Sequence, residues 1–172
     1  MELDALLLGE ADLHIDDLAI EADTIVLTVT STQAQPNCPE CSQPSNRVHS
    51  AYVPTVADIT WAALPARWRL RVRRMFCNNT DCPRQTFVER LACVPPRVRR
   101  STRLFQSQQA IGLSRGGEAG ARLSNKLRLP ISPDTLLRMI RLAPTCHFET
   151  PRVLGVDDWA YCRGVSYGTL LV

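Results

Sequence analysis

Four cysteines stand in two short-spaced pairs, Cys38-x2-Cys41 and Cys77-x4-Cys82, with 35 residues between the pairs. Such spacing can place two thiolates on one turn, and two such turns meeting give a tetrahedral four-sulfur zinc site. With every coordination position taken by protein, no place is left for a water, so the expected Zn(2+) is structural and not catalytic. Pro39 and Pro83 shape the two knuckles, and Asn37 and Asn78 tolerate tight-turn geometry. His49 lies between the pairs and reads as an ordinary strand residue rather than a substitute ligand. Cys93, Cys146 and Cys162 are isolated and read as small buried hydrophobes. Cys146 and His147 are sequence neighbours, but no third group suggests a nucleophile and its base.

Two knuckles need a small sheet to carry them, and the sequence offers one. From Pro65 to Phe76 the residues alternate: Arg67, Arg69, Arg71 and Arg73 point one way, and Trp68, Leu70 and Val72 the other. A period of two predicts a half-buried strand with an arginine face toward solvent, feeding straight into Cys77. An edge strand whose charges block aggregation would also look like this. Four arginines exceed what blocking requires, and they are read here as phosphate contacts. Thr24 to Val29 is a second, β-branched strand. The architecture expected around the cysteines is a zinc ribbon.

Charge is segregated along the chain of 172 residues, whose formal net charge is only +3. Residues 1–30 hold eight acids and no Lys or Arg, whereas residues 62–103 hold eleven arginines against Asp81 and Glu89, a local +9. That asymmetry points to a polyanionic partner. No apolar run approaches the roughly 20 residues of a bilayer helix, and acids occupy the place where a secretion signal carries bases. A reducing cytoplasm is the expected compartment, in which seven cysteines are metal ligands or free thiols rather than disulfides.

Beyond Pro95-Pro96 the pattern becomes helical. Ser101 or Thr102 can cap a helix through Leu104, Phe105, Gln108, Ile111 and Gly112, stopped by Gly116-Gly117. A second helix, from about Glu118 to Leu127, is expected to turn Ala119, Ala121, Leu123 and Leu127 toward a core. After a four-residue turn, Arg128 to Ile131, the hydroxyl of Ser132, a proline at the first helical position and Asp134 begin a third helix from Pro133 to Leu142. Three short helices with a glycine break and a tight turn match a helix-turn-helix. Its last helix would present Ser132, Thr135, Arg138 and Arg141 to a groove or to phosphates. A plain three-helix packing unit is the alternative. Finally Val153-Leu-Gly-Val156 reads as a strand delivering Asp157 at its end, and after a turn at Arg163-Gly164 a second strand runs to Val172.

Several stretches together carry a resemblance. Cys38-Pro-Glu-Cys41, Arg73-Arg-Met-Phe-Cys77, Cys82-Pro-Arg84, Gly116-Gly-Glu-Ala-Gly-Ala-Arg122, Ser132-Pro-Asp-Thr-Leu-Leu-Arg138 and Gly155-Val-Asp-Asp-Trp-Ala160 resemble bacterial insertion-sequence transposases of the ISL-three type. The resemblance implies a zinc-finger module, a helix-turn-helix module and a DDE domain of ribonuclease-H-like fold that cuts and joins DNA with divalent metal. It maps the first catalytic acid onto Asp157. Two-metal phosphoryl transfer needs several carboxylates, and after residue 150 the sequence offers only Asp157 and Asp158. Mg(2+) is therefore expected only with a full-length catalytic domain, and the chain is expected to be a fragment that binds but does not catalyse.

The sequence thus predicts an α+β, multi-module chain. Residues 1–35 form an acidic segment with a strand, 36–94 a β-rich zinc ribbon, 95–145 a helix-turn-helix, and 151–172 the first hairpin of an incomplete ribonuclease-H-like domain. The expected function is recognition of element ends, the terminal inverted repeats, in double-stranded DNA. The expected protein partner is a second copy or a full-length transposase, the expected location the bacterial nucleoid, and no membrane is involved. The alternative is a zinc-ribbon adaptor or transcription regulator that binds protein or RNA.

Overall fold

The computed structural model describes residues 12–144, 155–162 and 164–171. Two compact units divide the chain near residue 142.

The first unit is organised by one long strand. Its six strands are β1 (Leu13–Glu21), β2 (Thr24–Ser31), β3 (Val48–Tyr52), β4 (Thr55–Trp61), β5 (Leu64–Phe76) and β6 (Thr86–Val88). At 13 residues, β5 is long enough to take two neighbours along each edge. Its first half pairs with β2, in parallel, and with β4; its second half pairs with β3 and β6. β1 completes the order beyond β2. The arginine strand is therefore the centre of the sheet, and the edge-strand reading does not hold. The parallel pairing also carries the sheet across the boundary expected at residue 35, so the strand of the acidic segment is built into the same sheet as the strand leading to Cys77.

The period-two reading of β5 holds at the level of side chains. Trp68, Leu70 and Val72 are buried with Leu27 and Val29 of β2 and Val56 of β4, while Arg67, Arg69 and Arg71 are exposed on the opposite face. Leu91 and Cys93 cover the apolar face from a strap that follows β6. Burying a large aliphatic or aromatic side chain contributes about 1.5–3 kcal/mol, and Trp68 is completely covered.

Three helices follow: α1 (Thr102–Arg115), α2 (Gly117–Lys126) and α3 (Pro133–Arg141). The caps are those the sequence signals. Ser101 Oγ accepts from Leu104 N–H, Gly116 takes φ +73° at the break, and Ser132 Oγ accepts from Thr135 N–H with Pro133 in the first turn. The face of α2 differs from expectation. Gly120, Ala121 and Ser124 are buried, whereas Leu123 and Leu127 are exposed. The reason is close approach: a Cβ on Gly120 would lie 2.7 Å from Leu136 Cδ2, and one on Gly112 would lie 3.0 Å from Leu136 Cγ. Small residues cradle the fully buried Leu136 and let α3 settle against α1 and α2, a gap larger side chains would fill. The connection from α2 to α3 spans residues 127–132, longer than the expected four-residue turn. Asn125, Ser124 and the buried Gln108 hold its backbone.

Helices and sheet are joined by a buried carboxylate. Asp58 on β4 accepts from Ser101 Oγ at 2.6 Å, Trp68 Nε1 at 3.1 Å and Arg103 Nε at 2.8 Å, and pairs also with Arg103 Nη2. Backbone bonds from Ala57 N to Arg99 O and from Ser101 N to Ala57 O run alongside. The junction near residue 95 is thus stitched to the sheet and is not a free linker.

The second unit contains a hairpin of β7 (Val156–Cys162) and β8 (Ser166–Leu171), paired in antiparallel register. Val153, Leu154, Cys146, His147, Arg163 and Val172 lie outside the described residues.

Candidate metal centre and basic surface

The first knuckle is closed by Cys38 N–H donating to Gln43 O and Ser42 N–H donating to Cys38 O, with Ser42 at φ +59°. The second is closed by Cys77 N–H to Gln85 O and by Asp81 N–H to Asn79 Oδ1. Asn78 ties one knuckle to the other, donating to Pro44 O at 3.0 Å. Arg84 and Glu40 pair across them at 2.7 Å, an exposed contact worth little by itself. Met75 and Phe87 are buried beneath the cysteines.

This framework brings the four sulfurs of Cys38, Cys41, Cys77 and Cys82 within 4.8 Å of one another. Cys38 Sγ lies 4.0 Å from Cys82 Sγ, and Cys41 Sγ lies 3.6 Å from Cys77 Sγ. A tetrahedron with Zn–S bonds of about 2.3 Å has S···S edges of about 3.8 Å. Both measured edges fall around that value, and both are far too long for a disulfide bond of about 2.05 Å.

Electrostatics within the cluster call for a cation. Burial pushes the Cys38 thiol up, but N–H donation from Cys41 and Glu40 and the neighbouring thiols outweigh it and hold the group at about 7. At Cys77 the N–H of Asn79 favours the thiolate, yet burial and the surrounding sulfurs win and push it up to about 12. Cys82 is likewise raised, with burial and Cys41 opposing the N–H of Arg84. One thiolate forms readily and resists the next, the behaviour of a site that completes its ionisation around a dication.

The family model for the zinc-finger of transposase IS204/IS1001/IS1096/IS1165 matches residues 34–82. No curated protein and no solved structure matches the chain. The match contains all four cysteines, so the S4 cluster is a structural zinc site in a zinc ribbon similar to that zinc-finger. As in the sequence reading, His49 is no part of it: the side chain is exposed on β3, bonded to Ser50 Oγ and edge-on to Phe76.

The remaining site residues fare differently. Arg67, Arg69 and Arg71 share the exposed face of β5, where Arg69 pairs with Glu21 at 2.8 Å with both partners about half exposed. Arg73 departs from the expected open face. Its guanidinium is held by the buried Glu89, at 2.8 Å from Nη2 and 3.2 Å from Nε, and its N–H donates to the same carboxylate. A buried carboxylate needs such a partner, and Glu89 makes Arg73 an internal tie rather than a surface charge. Arg138 and Arg141 are exposed one turn apart on α3. Ser132 and Thr135 hydroxyls bond each other at 2.8 Å as part of the helix cap.

Asp157 lies one residue inside β7, opposite Leu170, and not at the end of a strand. Its Oδ1 accepts from Asp158 N–H at 2.9 Å. Neighbouring residues on a strand point to opposite faces, and among the described residues neither acid belongs to a cluster that could hold a metal ion. These residues alone do not fit a magnesium site.

Among the described residues no helix is long and apolar enough to cross a membrane. Sequence reasoning missed Asp58, Arg103 and Glu89. An acid between hydrophobic strand residues, as in Val56-Ala-Asp58-Ile59, is the signal that marks a buried carboxylate seeking a cation.

Proposed function

We propose that this chain is the DNA-binding N-terminal portion of an ISL-three-type transposase and that it recognises element ends in duplex DNA. The observation that carries the reading is the family match over the S4 zinc knuckles, joined without a break to an exposed arginine strand. Zinc fixes the turn at the end of β5, β5 presents Arg67, Arg69 and Arg71 in a row, and the Asp58 junction holds the three-helix unit to the same sheet. In this reading α3 is the recognition helix of a helix-turn-helix and offers Arg138 and Arg141, with Thr135 and Ser132 at its leading end. Arginine on the sheet supplies affinity without sequence information, and the helix supplies the sequence preference. Asp157 corresponds to the first acid of a DDE domain, whose magnesium chemistry would require further carboxylates.

The test is competition on the purified zinc-loaded chain between a duplex carrying a terminal inverted repeat, a scrambled duplex and single-stranded RNA of equal length. The reading expects the inverted repeat to win over both. Preference for RNA, or no preference among duplexes, would replace it with the adaptor reading or with nonspecific binding.

A further inference from the structure

Between the arginine face of the sheet and the three-helix unit lies a cleft of about 500 Å³. Four guanidinium-bearing residues line it: Arg67 from β5, Arg99 and Arg100 from the segment leading into α1, and Arg128 from the α2–α3 connection. The acid lining it, Asp58, has both oxygens engaged by Arg103, Ser101 and Trp68. Among the described residues no carboxylate pairs with Arg67, Arg99, Arg100 or Arg128. Burial lowers the pKa of Arg100 from its ordinary value, the sign of a cation partly stripped of water. Four like charges gathered without an anion repel one another, and the arrangement is favourable only when something negative enters.

We infer that this cleft is a backbone-phosphate site for duplex DNA, with Arg99, Arg100 and Arg128 acting together with Arg67. The inference rests on the DNA-binding reading above and adds to Arg67 of the β5 row three phosphate contacts from outside that row. A duplex fits the lining better than a single strand does. Single-strand sites stack bases on aromatic rings, and the cleft lining has no Phe, Trp or Tyr; between the arginines stand threonine, alanine, proline and leucine and the already engaged Asp58. The Asp58 junction makes the cleft pre-formed, so little ordering is needed when a phosphate binds. The DNA backbone would then run between sheet and helices, with α3 beside it.

The experiment compares two triple variants of the zinc-loaded full chain. Arg99→Gln/Arg100→Gln/Arg128→Gln empties the cleft of charge; Arg74→Gln/Arg90→Gln/Arg115→Gln removes the same charge elsewhere. Duplex affinity is measured by fluorescence anisotropy between 50 and 200 mM salt. Each phosphate contact contributes about 0.9 to the log–log salt slope, so three lost contacts flatten it by about 2.7; over this range wild-type affinity falls about 40-fold more than that of the cleft variant. The control variant should keep most of the wild-type slope. Equal flattening in both variants, or an unaltered slope in the cleft variant, overturns the inference while leaving DNA binding in place. A wild type that binds no duplex overturns both. If the cleft variant fails to fold, phenylglyoxal modification of the wild type decides: duplex should protect Arg99, Arg100 and Arg128 but not Arg115 or Arg122. Lack of protection, or stronger protection by single-stranded RNA, contradicts the assignment.

Discussion

Replacing Asp58 with Asn should loosen the joint between the sheet and the helices. The carboxylate accepts from Ser101, Trp68 and two nitrogens of Arg103. Asn keeps one acceptor oxygen and turns the other into an NH2 group that faces donors. At least one bond becomes a donor–donor clash, and the bonds that survive lose their ionic character; a hydrogen bond to a charged group contributes about 1.5–3 kcal/mol. Removing one partner of a buried ion pair typically costs about 3–5 kcal/mol. Arg103 is 31% exposed in its side chain and can regain water, whereas Asp58 is fully covered, which puts the expected loss near the lower bound, at about 3 kcal/mol. In a unit of this size that corresponds to a fall in Tm of about 10 °C. Urea unfolding of the zinc-loaded chain, followed by tryptophan fluorescence and far-UV circular dichroism, gives the value directly. Because the pair is coupled, Asp58→Leu combined with Arg103→Met should lose less than the sum of the single changes by more than about 1 kcal/mol. A loss under 1 kcal/mol for Asp58→Asn, or strict additivity in the pair, would refute the claim that this carboxylate joins the two parts.

Other consequences are simpler to state. Cys77→Ser should abolish stoichiometric zinc retention and unfold the knuckles, since structural zinc in small modules supplies about 10–16 kcal/mol; metal analysis with far-UV circular dichroism checks it. Protons compete with zinc for thiolates, so zinc affinity should fall as pH falls. With Cys38 at about 7 and Cys77 at about 12, one more proton should be released per zinc below pH 7 than above it, as isothermal titration in buffers of different ionisation enthalpy would show. Gly120→Ala gains about 1 kcal/mol of helix propensity. The new Cβ sits 2.7 Å from Leu136 Cδ2, and overpacking costs about 1–3 kcal/mol, so thermal denaturation should show a net loss of about 1 kcal/mol.

Features encoded by neighbouring residues were legible in the sequence. The Arg-x-Arg alternation gave β5 almost to the residue because period two is a local pattern, and the serine and proline signals placed α1 and α3 because caps act within one turn. The cysteine pairs were legible for the same reason, each knuckle being a few residues long. What stayed hidden depends on distant partners. Nothing near Thr24 to Ser31 announces parallel pairing with β5, nor does Arg73 announce Glu89 beyond the next knuckle. The α2 face was misread because hydrophobicity singles out Leu123 and Leu127, while the packing selects Gly120 and Ser124 for their small size. Their spacing of four residues was the available signal. The boundary near residue 95 concealed a junction because Asp58 and Arg103 meet only in the fold.

Duplex binding by the zinc-loaded chain, measured against salt before and after chelation, tests the central claim most directly. Binding with a steep negative slope, about −0.9 for each phosphate neutralised, is expected, and its loss when zinc is stripped. Binding that ignores salt, or persists at full strength without zinc, would contradict it.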